Sequence, residues 1–117
     1  MKNLDAILHV RGESRFVDDE PVPENVLYAA VVASPLAHGR LLSIETAAAG
    51  KLNGVRAAFT SRDIPGANQI GNVIQDEPLL ATEAVHCVGQ PVALVVATTE
   101  EVARRAARLV KLNIEPM

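Results

Sequence analysis

His86-Cys87 is the only adjacent histidine–cysteine pair in the sequence. Such a pair invites two kinds of chemistry, a thiol nucleophile with its base or two ligands of one metal. Both require the side chains to converge. Neighbours on an extended segment point to opposite faces, so a strand over 85–88 separates them and leaves Cys87 as a buried structural cysteine. His9, His38 and His86 lack the spacing of a metal site on one element. His38, in Ala37-His38-Gly39, is expected to satisfy backbone groups in a turn between two strands. Asp18-Asp19 and Asp76-Glu77 place carboxylates side by side, but an acid–base pair needs two differently tuned environments, and solvated turn charges are the expectation. Glu100-Glu101 is accounted for by the start of a helix. Gly66-Ala-Asn-Gln-Ile-Gly71 has the glycine spacing of a phosphate loop without the following Lys and Ser/Thr. Gly89-Gln90-Pro91 reads as a turn into a strand. No catalytic, cofactor-binding or metal-ligating residue is assigned on this basis.

Composition narrows the classes further. The net charge is −3, and the eleven Lys and Arg are scattered. Sequence-tolerant nucleic-acid binding requires a basic groove with aromatic platforms, and neither is present. Aromatic residues make up 3% of the chain and Trp is absent. The core is therefore expected to be aliphatic, with Phe16, Tyr28 and Phe59 as its only large rings. A single cysteine excludes an internal disulfide framework and points to a reducing compartment. The apolar run Ala6–Leu8 is too short for a signal-peptide core, and Val26–Ala33 is far below the roughly 20 residues of a membrane helix. A cytoplasmic, soluble domain is the expectation. At 117 residues the chain can bury a sufficient core without disulfide or metal.

The elements that must position these residues follow from periodicity. Residues 1–25 mix charges with Gly12, Pro21 and Pro23 and read as an N-terminal arm; residues 26–117 read as one domain. Val26–Ala33 is continuously apolar and predicts a strand buried on both faces. Residues 40–46 alternate, with Leu42 and Ile44 on one side and Leu41, Ser43 and Glu45 on the other. Thr46 caps a short Ala-rich helix over 47–52. Residues 55–60 predict a third strand with Val55, Ala57 and Phe59 on one face. Gly66–Ala84 shows no period and forms a long loop, a feature usually functional, disordered or interfacial. A short strand over 85–88 and an apolar strand over 91–97 precede a helix over 99–109. Thr98 and Glu101 have capping-box spacing, and Val102, Ala106, Leu109 and Val110 share one helical face. Residues 111–115 alternate as a last strand, expected to run parallel to 91–97 after a right-handed crossover. The class is α+β, a mixed sheet with a C-terminal βαβ unit. The pattern stops at Pro116-Met117, as expected of a piece of a longer subunit.

The ordered set of motifs resembles the α/β hammerhead domain at the N-terminus of the molybdenum-binding subunit of xanthine dehydrogenases and aldehyde oxidases. The matching pieces begin with Gly12 and Phe16-Val17-Asp18-Asp19, then Ser34-Pro35-Leu36-Ala37-His38-Gly39 and Ile44-Glu45-Thr46. They continue with Gly54-Val55, Asp63-Ile-Pro-Gly-Ala-Asn68 and Asp76-Glu-Pro-Leu-Leu-Ala81, and end with Val85–Gln90 and Val110–Glu115. The resemblance implies an oxidoreductase parent using a molybdenum–pterin cofactor, with iron–sulfur clusters and flavin (FAD) on other domains or subunits. It implies that this chain binds none of these cofactors and is not catalytic alone. Its implied role is structural: packing on the cofactor domains and helping wall the substrate channel, with Leu79 and Leu80 lining the entrance. Leu80→Arg is then expected to impair turnover while leaving the domain folded. Two other readings stay open at this point, a free-standing binding or regulatory module, possibly homodimeric, and a small thiol enzyme using Cys87.

Overall fold

Pro91–Ala97 is apolar without a break, which suits a strand covered on both sides, and it forms the centre of the larger core. The computed structural model describes residues 4–117; the first three residues of the expected arm lie outside the described residues. Among the described residues there are six strands: β1 (Tyr28–Ala33), β2 (Gly39–Glu45), β3 (Val55–Thr60), β4 (Ala84–Val85), β5 (Pro91–Ala97) and β6 (Lys111–Pro116). They are accompanied by the helices α1 (Leu4–Arg11), α2 (Ala47–Gly50) and α3 (Glu100–Ala107). The α+β class is as expected, but the strands form two antiparallel sheets, ordered β1-β5-β3 and β4-β2-β6. The chain alternates between them, so no strand pairs with its sequence neighbour.

That alternation corrects the pairing expected at the C-terminus. The order strand–helix–strand is present over 91–116, yet β6 does not lie beside β5. It crosses into the second sheet and pairs antiparallel with β2, Arg40 opposite Glu115 and Ile44 opposite Leu112. There is no parallel pair and no mixed sheet among these ladders. The short strand expected at 85–88 ends at Val85.

Burial follows strand position. In β5, Val92, Ala93, Val95 and Ala97 are fully buried. In contrast, β1 is an edge strand, and Val32 is its only buried residue, so the expectation of burial on both faces fails there. Apolar composition alone does not distinguish a central strand from an edge strand that carries a surface. In β2, the register slips between Leu41 and Ser43. The extra residue of such a bulge reverses the alternation, so Leu41 is buried while Leu42 is exposed. In β3 the core contacts are made by Val55 and Ala58, and Phe59 is turned outward.

The first core joins Val32, Ala49, Ala93, Val95, Ala106 and Val110; the second joins Leu41, Ala81, Val85 and Val92. Ile44 and Leu112, opposite each other in the β2–β6 ladder, pack against both cores and connect the sheets. Helix α3 approaches closely because its inward residues, Ala103 and Ala106, are small and fully buried; Leu109 is on the outside. Its N-cap is Thr99, whose hydroxyl accepts from the Val102 N–H at 3.3 Å, and not Thr98. Glu100 forms an exposed i,i+4 ion pair with Arg104. Before residue 26, where no period is visible in the sequence, the chain forms α1 and a single 3-10 turn at Val17–Asp19. Among the described residues no helix is long and apolar enough to cross a membrane.

A second 3-10 turn, Ser61–Asp63, follows β3. The Asp63 carboxylate accepts from the Thr60 backbone N–H at 2.7 Å and from the Thr60 hydroxyl at 3.0 Å. The backbone bond, and then the hydroxyl bond, hold its pKa below the usual 3.8. A folded-state pKa below the unfolded one gives stability that is present above the unfolded value and lost as pH falls through the folded one. The wild-type melting temperature should therefore carry an Asp63-dependent decline starting near pH 4 and completing below it. Asp63→Asn should flatten that part of the profile, as checked by thermal melts between about pH 2 and 6.

Candidate functional site

Between the second 3-10 turn and β4, residues 64–83 contain no helix or strand, as the absence of a period predicts. The segment is nonetheless pinned. The Asn68 side chain behaves as a strand partner to Leu80: its Nδ2 donates to the Leu80 carbonyl at 2.7 Å, and its Oδ1 accepts from the Leu80 N–H at 2.9 Å. Further out, the Ile70 N–H donates to the Glu77 carbonyl at 2.9 Å. At the base, the Ala81 N–H donates to the Pro91 carbonyl at 2.8 Å, which seats Leu80 and Ala81 against the start of β5. The result is a closed projection whose tip presents Val73 at 94% exposure and Ile74 at 69%. One face holds a shallow cleft of about 600 Å³ lined by Asn68, Gln69, Ile70, Asn72, Gln75 and Asp76. The Gln69 amide nitrogen is buried beside it without a hydrogen-bond partner.

The two residues singled out in this loop occupy different environments. Leu79 is 45% exposed and Leu80 is 8% exposed, so only the first is available to another molecule. The neighbouring Asp76 and Glu77 are both exposed.

The histidine and cysteine pattern also resolves. Cys87 is exposed, contrary to the buried position expected from a strand over 85–88. The strand stops at Val85, and residues 86–90 turn instead. Gly89 has φ +88° there, a conformation that favours glycine. The turn is held by Gln90, whose buried side-chain oxygen accepts from the His86 N–H at 2.6 Å. His86 and Cys87 do not share a site. His86 and His38 do meet: their rings lie 5.4 Å apart, centre to centre, at a 36° tilt. His38 binds the backbone, as expected, but its partner is the Val85 carbonyl at 3.1 Å. His9 is elsewhere, stacked on Phe16 and bonded to the Ser14 hydroxyl. Asp19 accepts from the Phe16 N–H and closes the first 3-10 turn. Among the described residues, no three side chains of His, Cys, Asp and Glu gather in a way that would hold a metal.

A second depression, of about 430 Å³, lies between β1 and α3, with Val31, Val32, Pro35, Ala107 and Val110 as its apolar lining and Arg104 and Arg108 at its margin. It adds to a generous surface. The accessible area is 8864 Å², whereas a compact 12.4 kDa monomer exposes roughly 6,100 Å². The radius of gyration is 18.4 Å, against about 13 Å for a compact chain of this length.

Two small antiparallel sheets threaded alternately, with a helix wedged on one of them and a pinned loop projecting beyond, define an α+β domain of the hammerhead kind. Residues 11–117 match the family described as "Aldehyde oxidase and xanthine dehydrogenase, a/b hammerhead domain". The chain belongs to that family. Xanthine dehydrogenase 1 of Arabidopsis thaliana is 45% identical over 115 residues, covering 98% of this chain. The xanthine dehydrogenase of Oryza sativa subsp. japonica is 49% identical over 110 residues, covering 94%. In each case the chain spans only 8% of the relative's own length. Among solved structures, the aldehyde oxidoreductase of Desulfovibrio desulfuricans ATCC 27774 superposes with a TM-score of 0.88 at 30% identity, over 97% of this chain and 14% of that one. A Cu,Mo-CO dehydrogenase superposes with a TM-score of 0.84 at 34% identity, over 100% of this chain and 15% of that one.

Proposed function

We propose that the chain serves as the hammerhead domain of a molybdenum hydroxylase subunit, packing on the cofactor domains and helping wall the substrate channel. The carrying observation is membership of the hammerhead family by a chain that spans 8% of its curated relatives. The large surface and the apolar groove between β1 and α3 support an interfacial role. In this reading residues 1–25 act as an arm and residues 26–117 as the domain body. The subunit works in the cytoplasm with iron–sulfur and flavin partners, and catalysis resides on other domains.

In this reading the molybdenum–pterin cofactor is held by the other domains of the subunit. The loop cleft carries the amide side chains of Asn68, Gln69, Asn72 and Gln75. What the chain offers is shape: a pinned loop that carries exposed apolar side chains to a partner.

Leu79 and Leu80 both belong to the proposed channel wall, Leu79 by presenting its side chain and Leu80 by anchoring the segment. In the full-length subunit, Leu79→Arg should lower kcat/KM by roughly tenfold, the scale of one apolar contact in a binding site. Its melting temperature should match the wild type. Steady-state kinetics indistinguishable from the wild type would remove the channel assignment.

A further inference from the structure

We propose that His38 and His86 form a two-imidazole binding site for a borderline divalent transition metal ion such as Cu²⁺, Ni²⁺ or Zn²⁺. The pairing follows from register. In the antiparallel β2–β4 ladder, Arg40 is opposite Ala84 and Gly39 is opposite Val85. One step past the end of this ladder, the same register brings His38 toward His86, and their rings meet there. Directly opposed residues lie on the same side of an antiparallel pair, with Cβ atoms about 4.5–5.5 Å apart, and the ring centres are 5.4 Å apart.

Three features make this pair more than an accidental ring contact. A carbonyl oxygen can only accept, so the 3.1 Å bond to Val85 makes His38 Nδ1 the protonated nitrogen. The Nε2 lone pair is then free, and a backbone carbonyl is a common partner for orienting a metal-ligating histidine. The His86 backbone is fixed independently, by the 2.6 Å bond from its N–H to the buried Gln90 side chain. Finally, metal–nitrogen bonds of about 2.0–2.1 Å at a tetrahedral angle put two imidazole centres roughly 5 Å apart, close to the separation already present. Imidazole is a good ligand for zinc, copper and nickel. Both rings are on the surface, so water can complete the coordination sphere. Binding adds two nitrogen–metal bonds and displaces two water ligands, with no redox change.

The site is tested by titrating the full chain separately with Cu²⁺, Ni²⁺ and Zn²⁺ under calorimetry. The wild type should bind one equivalent, and His38→Gln and His86→Gln should each weaken binding by about tenfold or more. His9→Gln, on the remote stack with Phe16, should bind as the wild type does. Circular dichroism of each variant guards against loss of fold. As a second measurement, histidine ring resonances of the wild type should broaden on substoichiometric Cu²⁺ for His38 and His86 together. Wild-type affinity in either pair variant, broadening of only one of the two rings, or loss of binding in His9→Gln overturns the proposal.

Discussion

Gly39→Ala is expected to destabilise the chain by about 2–3 kcal/mol, the upper part of the usual range for overpacking, and to lower its melting temperature by roughly 10 °C. A methyl group at this position would lie 2.6 Å from the Ile114 Cγ2 and 2.8 Å from the Glu115 carbonyl oxygen. The first of these atoms could rotate away, but the second is backbone. Gly39 pairs with Val85 on one side and with Pro116 on the other, so neither neighbouring strand can retreat without opening a ladder. Gly50→Ala is the matched control. Its added methyl meets nothing within 4 Å, and in the helical backbone of α2 it should be neutral or stabilise by up to about 1 kcal/mol. Equal melting temperatures for the two variants would contradict the crowding seen at Gly39.

Leu80→Arg should cost about 3 kcal/mol, while Leu79→Arg, on an exposed side chain, should stay within about 0.5 kcal/mol of the wild type. Burial of a leucine side chain contributes roughly 2 kcal/mol, and the guanidinium must in addition displace the segment to reach water. Leu80 is held from both sides of its peptide by Asn68, and the next residue is tied to Pro91, so moving it loosens the whole base of the loop. This revises the expectation that Leu80→Arg leaves the domain intact and makes Leu79 the cleaner probe of the channel. Urea midpoints of the two variants check it: a Leu80→Arg midpoint equal to that of Leu79→Arg would mean that Leu80 is not anchored as described.

The sequence announces some elements clearly. The uninterrupted run Pro91–Ala97 coincides with β5, because local pattern and tertiary environment agree there, whereas the strand expected over 55–60 is present as β3 with Phe59 turned away from the core. The helix expected at 99–109 is present over Glu100–Ala107, shortened at both ends. Where the reading fails, a distant partner decides. The Leu42 bulge answers to the register of β6, and the exposed face of β1 answers to its place at a sheet edge. The candidate site shows the same limit. An irregular loop over 66–84 is legible as missing periodicity, but its clamp joins residues twelve apart. The histidine pair depends on a carbonyl 47 residues from His38, and no local spacing rule reaches that far. Cys87 lies two residues past the end of β4, where strand alternation no longer sets burial.

The alternate threading of the two sheets has a kinetic and evolutionary consequence. Since every ladder joins strands that are not consecutive, no hairpin is available to form early and template the rest. Each pairing must close a substantial loop before any of its bonds compensate, the condition under which folding falls toward the millisecond-to-second range. Neither sheet can be built from one continuous half of the chain: cutting between β3 and β4 removes β5 from the first sheet and both β4 and β6 from the second. The hammerhead is therefore a unit that is kept or lost whole.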